Sequence, residues 1–279
     1  MSGNDAPDTP HQASPSDPPV DGGVDRSAGE RLTAILIEDD CVPGLWASID
    51  SGEMDHLVPE LSALRMEQDP IHRHKDVLSH TVAVVAKTDA EISVRLAALF
   101  HDIAKPRTRS FDHGGVTFRH HEAVGARMTR KRLTALGYPE GLVEDVAELV
   151  RLSGRFKGYA EGWSDAAVRR YARDAGPLLG RLNHLIRCDC TTRNKARAAG
   201  IQIQMDDLEA RIAELAEQAR RDAERPGMDG EAIMDHLGIG PGREVGEALA
   251  YLLAVKRTEG ELDRSELEGR LDAWWADRT

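Results

Sequence analysis

From Glu30 onward the apolar residues of this chain recur at three- and four-residue intervals between short breakers, a period that fits α-helices rather than strands. Leu32, Ile35 and Leu36 form a first set, Leu45, Trp46 and Ile49 a second, and Leu57, Val58, Leu61 and Leu64 a third. Pro43-Gly44 and Ser51-Gly52 punctuate them. Later, "KDVLSHTVAVVAK" and "EISVRLAALFHDIAK" keep the same period, and Leu208, Ile212 and Leu215 make one stripe that Pro226-Gly227 closes. The pattern predicts an all-α chain, with one short hairpin around "FDHGGVTF" and no internal repeat.

Composition divides the chain into four parts. Residues 1–29 hold Pro, Gly, Ser and Asp with almost no large apolar group, too little to offset the entropy of ordering, and are expected to form a disordered acidic tail. Residues 30–65 read as a helical neck, 66–200 as the histidine-bearing domain, and 201–279 as a polar helical extension. No stretch approaches the ~20 apolar residues of a membrane span, and the N-terminus has no signal-peptide pattern, so no membrane partner and a cytoplasmic location are expected. Three cysteines are too few for a disulfide framework. The thiols of "CDC" would point apart on a helix, which favours reduced thiols over a metal pair.

The net charge of −12 conceals a division. Residues 1–60 carry 2 basic and 13 acidic side chains, residues 61–200 carry 24 and 16, and residues 201–279 carry 10 and 19. The basic middle can attract phosphates although the whole chain is acidic, and it fits solvated helix faces equally well.

The chemistry sits in that middle. In "KDVLSHTVAVVAK", His80 falls along the edge of the face formed by Val77, Thr81, Val84 and Val85 and points inward. In the next helix Ile92, Leu96, Leu99 and Ile103 carry His101 and Asp102 inward near the C-terminal end. "LIRCDCTTRN" places Asp189 on a helix beside Leu185 and Ile186. Singly, each has an ordinary structural explanation, a hydrogen-bonded core histidine or a capping aspartate. Together they make the ordered pattern H...HD...D, in which a cation would offset the burial of the carboxylate. Imidazole nitrogen with carboxylate oxygen suits a hard or borderline divalent ion such as Mn, Mg, Co or Ni.

With those residues in view, the segment resembles the HD-domain metal-dependent phosphohydrolases. More narrowly, it resembles the C-terminal part of bacterial CCA-adding tRNA nucleotidyltransferases, through "ERLTAIL", "LVPELSALRMEQDPIHRHKDVLSHT", "RLAALFHDIAKPRTRSF", "HHEAVGARMTRKRL", "CDCTTRN" and "DGEAIMDHLGIGPGREVGEA". The likeness implies an HD-domain helical bundle flanked by a helical neck and a helical, RNA-binding-like C-terminal extension. It implies His80, His101, Asp102 and Asp189 as metal ligands. That family begins with a nucleotidyltransferase head, and neither its Gly-Gly-x-x-Arg-Asp nor its Asp-x-Asp pattern occurs before Glu30. Histidines usual near Ser153 and Lys157 are also missing, which favours one ion over two.

On this reading His121, in the "HE" position, steers substrate or shuttles a proton, and Lys105 with Arg107 neutralises charge on a transferred phosphoryl group. Lys105 and Arg107 fit equally the cations that often end a helix before a proline stop. Arg109 and His74 complete the expected substrate contacts. The glycine-rich "LGIGPGREVGEAL" enters a helix whose first amides can receive a phosphate, a weak signal taken alone. Three functions follow: a phosphohydrolase or phosphodiesterase acting on a nucleotide, a cyclic phosphate or an RNA end; a tRNA-binding half that works with a separate nucleotidyltransferase head; or a scaffold without activity.

Overall fold

The Asp25 carboxylate accepts a hydrogen bond from the Ala28 amide at 3.0 Å and so opens helix α1 (Arg26–Leu36). The computed structural model describes residues 24–66, 76–112, 115–192 and 194–278. Of the tail expected over 1–29, residues 1–23 lie outside the described residues, and 26–29 belong to α1 instead. Packing is the reason. Ala28 and Gly29 are buried, and the Asp25 amide donates to the Ala135 carbonyl at 2.9 Å. Tyr138 donates its hydroxyl to the Gly29 carbonyl at 3.0 Å. A Cβ on Gly29 would meet the Leu136 carbonyl oxygen at 2.2 Å, so only glycine permits this approach. Gly29→Ala is expected to lower unfolding stability by about 1–3 kcal/mol through overpacking, as read from a urea melt.

The chain continues through α2 (Val42–Asp50), α3 (Glu53–Leu57), a 3₁₀ turn over Pro59–Leu64, α4 (Val77–Val85) and α5 (Ile92–Phe100). A one-turn α6 (Lys105–Thr108) leads into strands β1 (Arg109–Asp112) and β2 (Gly115–Phe118). Then come α7 (His121–Ala135), α8 (Glu140–Leu152), α9 (Asp165–Ala175) and α10 (Leu179–Asp189). The 29-residue α11 (Lys195–Ala223) is followed by α12 (Gly230–Leu237), α13 (Arg243–Glu259) and α14 (Arg264–Ala276). The architecture is all-α apart from the small antiparallel hairpin. No helix among the described residues is long and apolar enough to cross a membrane.

The described residues divide into two compact units, with the boundary inside α11 between Leu208 and Glu209. The expected neck, 30–65, therefore packs into the same unit as the histidine-bearing segment rather than standing beside it. At the centre of this unit is α5, buried at every residue from Ser93 to Phe100, with α1, α4, α8 and α10 packed around it. Arg95, 2% exposed, sits among these apolar residues and spends its guanidinium on backbone carbonyls. Helices α7 and α8 form an antiparallel pair that closes one side.

The second unit has its own core of Met228, Ile233, Ala248, Leu252, Leu267 and Leu271. A capping box joins Asp263 and Glu266 at the start of α14. The glycine-rich turn does enter a helix: Gly238 ends α12 in the left-handed region (φ 66°), and Gly242 precedes α13.

Candidate metal centre

Three separate segments deliver the inward histidines and aspartates. Asp76 caps α4 through the Ser79 amide at 2.6 Å, which sets the helix phase that buries His80. His101 and Asp102 lie in the turn just after α5, 4% and 2% exposed, instead of on the helix itself as the periodicity predicted. Asp189 is the last residue of α10, and its side chain, 43% exposed, forms the open side of the cluster.

Hydrogen bonds fix the rings. His101 donates Nδ1–H to the Ala98 carbonyl at 2.8 Å, which leaves the lone pair of the neutral ring on Nε2. His80 places Nδ1 2.8 Å from the Thr191 hydroxyl, again turning Nε2 inward. The two Nε2 atoms end 3.3 Å apart. Asp189 Oδ1 lies 3.0 Å from that of His80 and 3.5 Å from that of His101, and Asp102 Oδ2 lies 3.5 and 3.1 Å from the same atoms. With neutral rings this is a knot of electron-rich atoms facing one another, and a proton or a metal cation has to hold it together. The ligand atoms of His80, His101 and Asp189 all lie within 4.8 Å of one another, and Asp102 offers a further oxygen beside them. The set of nitrogen and carboxylate donors fits a divalent ion.

Burial alone would lower the pKa of His101, but Asp102 and Asp189 outweigh it and push it up to about 10. Burial would raise both carboxylates, yet His101 and Lys105 hold Asp102 well below the usual range, and His101 with His80 does the same for Asp189. The His101 contribution to stability is thus complete below its ordinary value of 6.5 and is lost as pH rises through about 10. The carboxylate contributions are present above 3.8 and vanish on acidification. The melting temperature without added metal is expected to fall from pH 7 to 10.

A cleft of about 380 Å³ opens on the cluster, lined by His80, His101, Asp102 and Asp189 and also by Lys105, Phe118, His121, Ser153, Gly154 and Lys157. Lys105 Nζ donates to Asp102 Oδ2 at 2.7 Å and lies 5.6 Å from the centre of the Phe118 ring. His121 opens α7 after His120, whose left-handed backbone (φ 61°) turns the chain at this point. Its Nδ1–H donates to the Phe118 carbonyl at 2.7 Å, and its Nε2 lies 3.6 Å from Asp102 Oδ1. Burial lowers its pKa against the opposing pull of Phe118, Glu122 and Asp102, so the ring is neutral near pH 7.

Not every expected residue arrives. Arg107 is exposed and Arg109 lies on the hairpin, and neither lines the cleft. The reason is the helical turn over 105–108, in which residues two apart point in nearly opposite directions: Lys105 goes in, Arg107 out. His74 lies outside the described residues. Cys188 is buried, donates to the Lys87 carbonyl at 3.2 Å and has its thiol pKa pushed up to about 11 by burial, so it takes no part in the cluster.

Four contributors carry no role in the sequence reading: Thr191, Phe118, Glu122 and Gly154. Glu122 accepts from Lys157 at 3.1 Å, and a Cβ on Gly154 would meet its carboxylate at 2.1 Å. The adjacency of Thr191 to "CDC" and of Glu122 to His121 was the available signal.

The HD domain family profile matches residues 77–222. A CC-adding tRNA nucleotidyltransferase of Thermus thermophilus is 31% identical over 254 residues, covering 88% of this chain and 56% of that protein. An A-adding tRNA nucleotidyltransferase of Deinococcus radiodurans is 32% identical over 263 residues, covering 90% and 58%. The chain thus spans little more than half the length of these curated relatives.

Proposed function

We propose, from the premise that this chain belongs to the HD domain family, that it is a metal-dependent phosphohydrolase or phosphodiesterase acting on a nucleotide, a cyclic phosphate or an RNA end. The observation that carries the reading is the facing pair of imidazole Nε2 atoms, 3.3 Å apart, with two carboxylates converging on them. His80, His101, Asp189 and Asp102 would hold one divalent ion, which supplies Lewis acidity and an acidified water. Around it the chain provides fixed charges. Lys105 gives one of its three N–H donors to Asp102 and keeps two for a phosphoryl oxygen. His121, neutral and anchored by the Phe118 carbonyl, is placed to accept or return a proton. Where a two-ion site would need further ligands, Ser153 donates its hydroxyl to the Val150 carbonyl and Lys157 presents an ammonium held by Glu122. A cation built into the chain therefore stands there, and a single ion completes the cleft.

The test is to strip the purified protein with a chelator, restore manganese, nickel, cobalt or magnesium singly, and assay a panel of phosphomonoesters, cyclic nucleotides and phosphodiesters. One equivalent of bound metal and metal-stimulated hydrolysis are expected. A protein that binds no metal at micromolar concentration and remains inert across the panel would refute the reading.

A second reading, a tRNA-binding half working with a separate nucleotidyltransferase head, draws on the likeness to the two tRNA nucleotidyltransferases, which extends over about nine-tenths of the chain. It expects tRNA binding that weakens steeply with salt and is indifferent to His101→Ala.

A further inference from the structure

One feature of the β1–β2 hairpin is left unfinished by the fold, and a ligand would complete it. Its register pairs Arg109 with Phe118 and Phe111 with Val116. Directly paired residues share a face of the ribbon, as do residues two apart along a strand. Arg109, Phe111, Val116 and Phe118 therefore occupy one face, while Ser110 and Thr117, with hydroxyls 2.7 Å apart, occupy the other. Phe118 lines the metal-binding cleft, so the first face runs outward from it.

On this face Phe111 is 72% exposed, the most exposed large apolar side chain among the described residues. The Arg109 guanidinium carbon lies 5.0 Å from the centre of its ring. An exposed aromatic ring beside a guanidinium suits a flat heterocycle, which stacks on the ring. Phe111 also lies two residues along the ribbon from the Arg109–Phe118 pair, ~7 Å at the usual strand rise. That is about the reach of one ribose.

We propose that the Arg109–Phe111 face of the hairpin is a nucleobase platform, which selects a nucleotide, free or at an RNA end, over a base-free phosphate ester for the cleft beside it. The platform's contribution to turnover rests on the phosphohydrolase reading above, whereas its binding of a base does not. Lys105 and Lys157 in the cleft receive the phosphate, and Phe111 with Arg109 receives the base.

The experiment uses the full chain and, as probes, the four ribonucleoside 5′-monophosphates and ribose 5-phosphate, which carries the same sugar and phosphate without a base. By calorimetry, at least one nucleotide is expected to bind more tightly than ribose 5-phosphate. Phe111→Ala is expected to weaken that nucleotide roughly ten-fold or more while leaving ribose 5-phosphate unchanged. Phe111→Trp should restore the affinity, and its fluorescence should be quenched by the nucleotide alone, with or without metal and also when combined with His101→Ala. A short oligoribonucleotide that competes better than the monomer assigns the platform to an RNA end, and one that competes no better assigns it to a free nucleotide. Equal binding of all five probes, or identical nucleotide affinity in the wild type and Phe111→Ala, overturns the proposal. Loss of hydrolysis with stacking retained is the failure of the catalytic reading alone.

Discussion

His101→Ala is expected to lower metal-stimulated phosphoester hydrolysis by on the order of 10³-fold, the loss of the several kcal/mol that a bound cation contributes to a phosphoryl transition state. The size follows from the geometry. His101 faces His80 across 3.3 Å and touches both carboxylates, so its removal leaves one imidazole and breaks the group whose donor atoms lie within 4.8 Å of one another. Metal stoichiometry should fall with activity, while far-ultraviolet circular dichroism stays the same, because among the described residues the Ala98 carbonyl is the sole backbone group to lose a bond from this ring. Thr191→Ala, which releases the His80 ring, should weaken metal affinity by roughly 10–100-fold and leave saturated turnover near normal. Full hydrolysis by a metal-free His101→Ala protein would remove His101 from the mechanism.

Arg95→Ala should cost about 3–5 kcal/mol of unfolding stability, the largest effect expected outside the cleft, measurable by urea denaturation. All five N–H groups of this guanidinium are committed to backbone carbonyls. Nε reaches Asp89 at 3.1 Å, one terminal nitrogen reaches Leu36 and Glu38, and the other reaches Asp39 and Thr88, each at 3.3 Å. Alanine would strand the buried Leu36 and Thr88 carbonyls and would leave a cavity beside α5. Arg95→Lys should recover little, because three donors on one nitrogen cannot replace a planar fork that joins residues 36–39 to residues 88–89. Stability within about 1 kcal/mol of wild type for the alanine variant would show the knot to be ornamental.

These two residues also mark how far the sequence could be read. The helical class of the first unit and the inward placement of His80, His101 and Asp102 are legible because burial imposes a period, and charged or ionisable groups on a buried face are conspicuous against it. The direction of Arg107 was not legible: the helix appeared to run on through "HDIAKP", whereas it ends at Phe100 and restarts for a single turn at Lys105. Arg95 sits inside "ISVRLAALF" with nothing nearby in sequence to announce its partners, which are carbonyls brought in from α1 and the turn before α5. The start of α1 was hidden for a similar reason, since Ala28 and Gly29 look like tail composition until the distant Leu136 and Tyr138 are placed against them. Backbone partners leave no trace in a residue pattern.

The centre takes its side chains from the first turns of α4, the turn after α5 and the end of α10, segments that meet only when the bundle has closed. None of these helices assembles the proposed ligand set by itself. During refolding, then, helical ellipticity should recover before any coloured cobalt complex forms, and a metallochromic signal becomes a clock for tertiary docking of α10 instead of a measure of helix content.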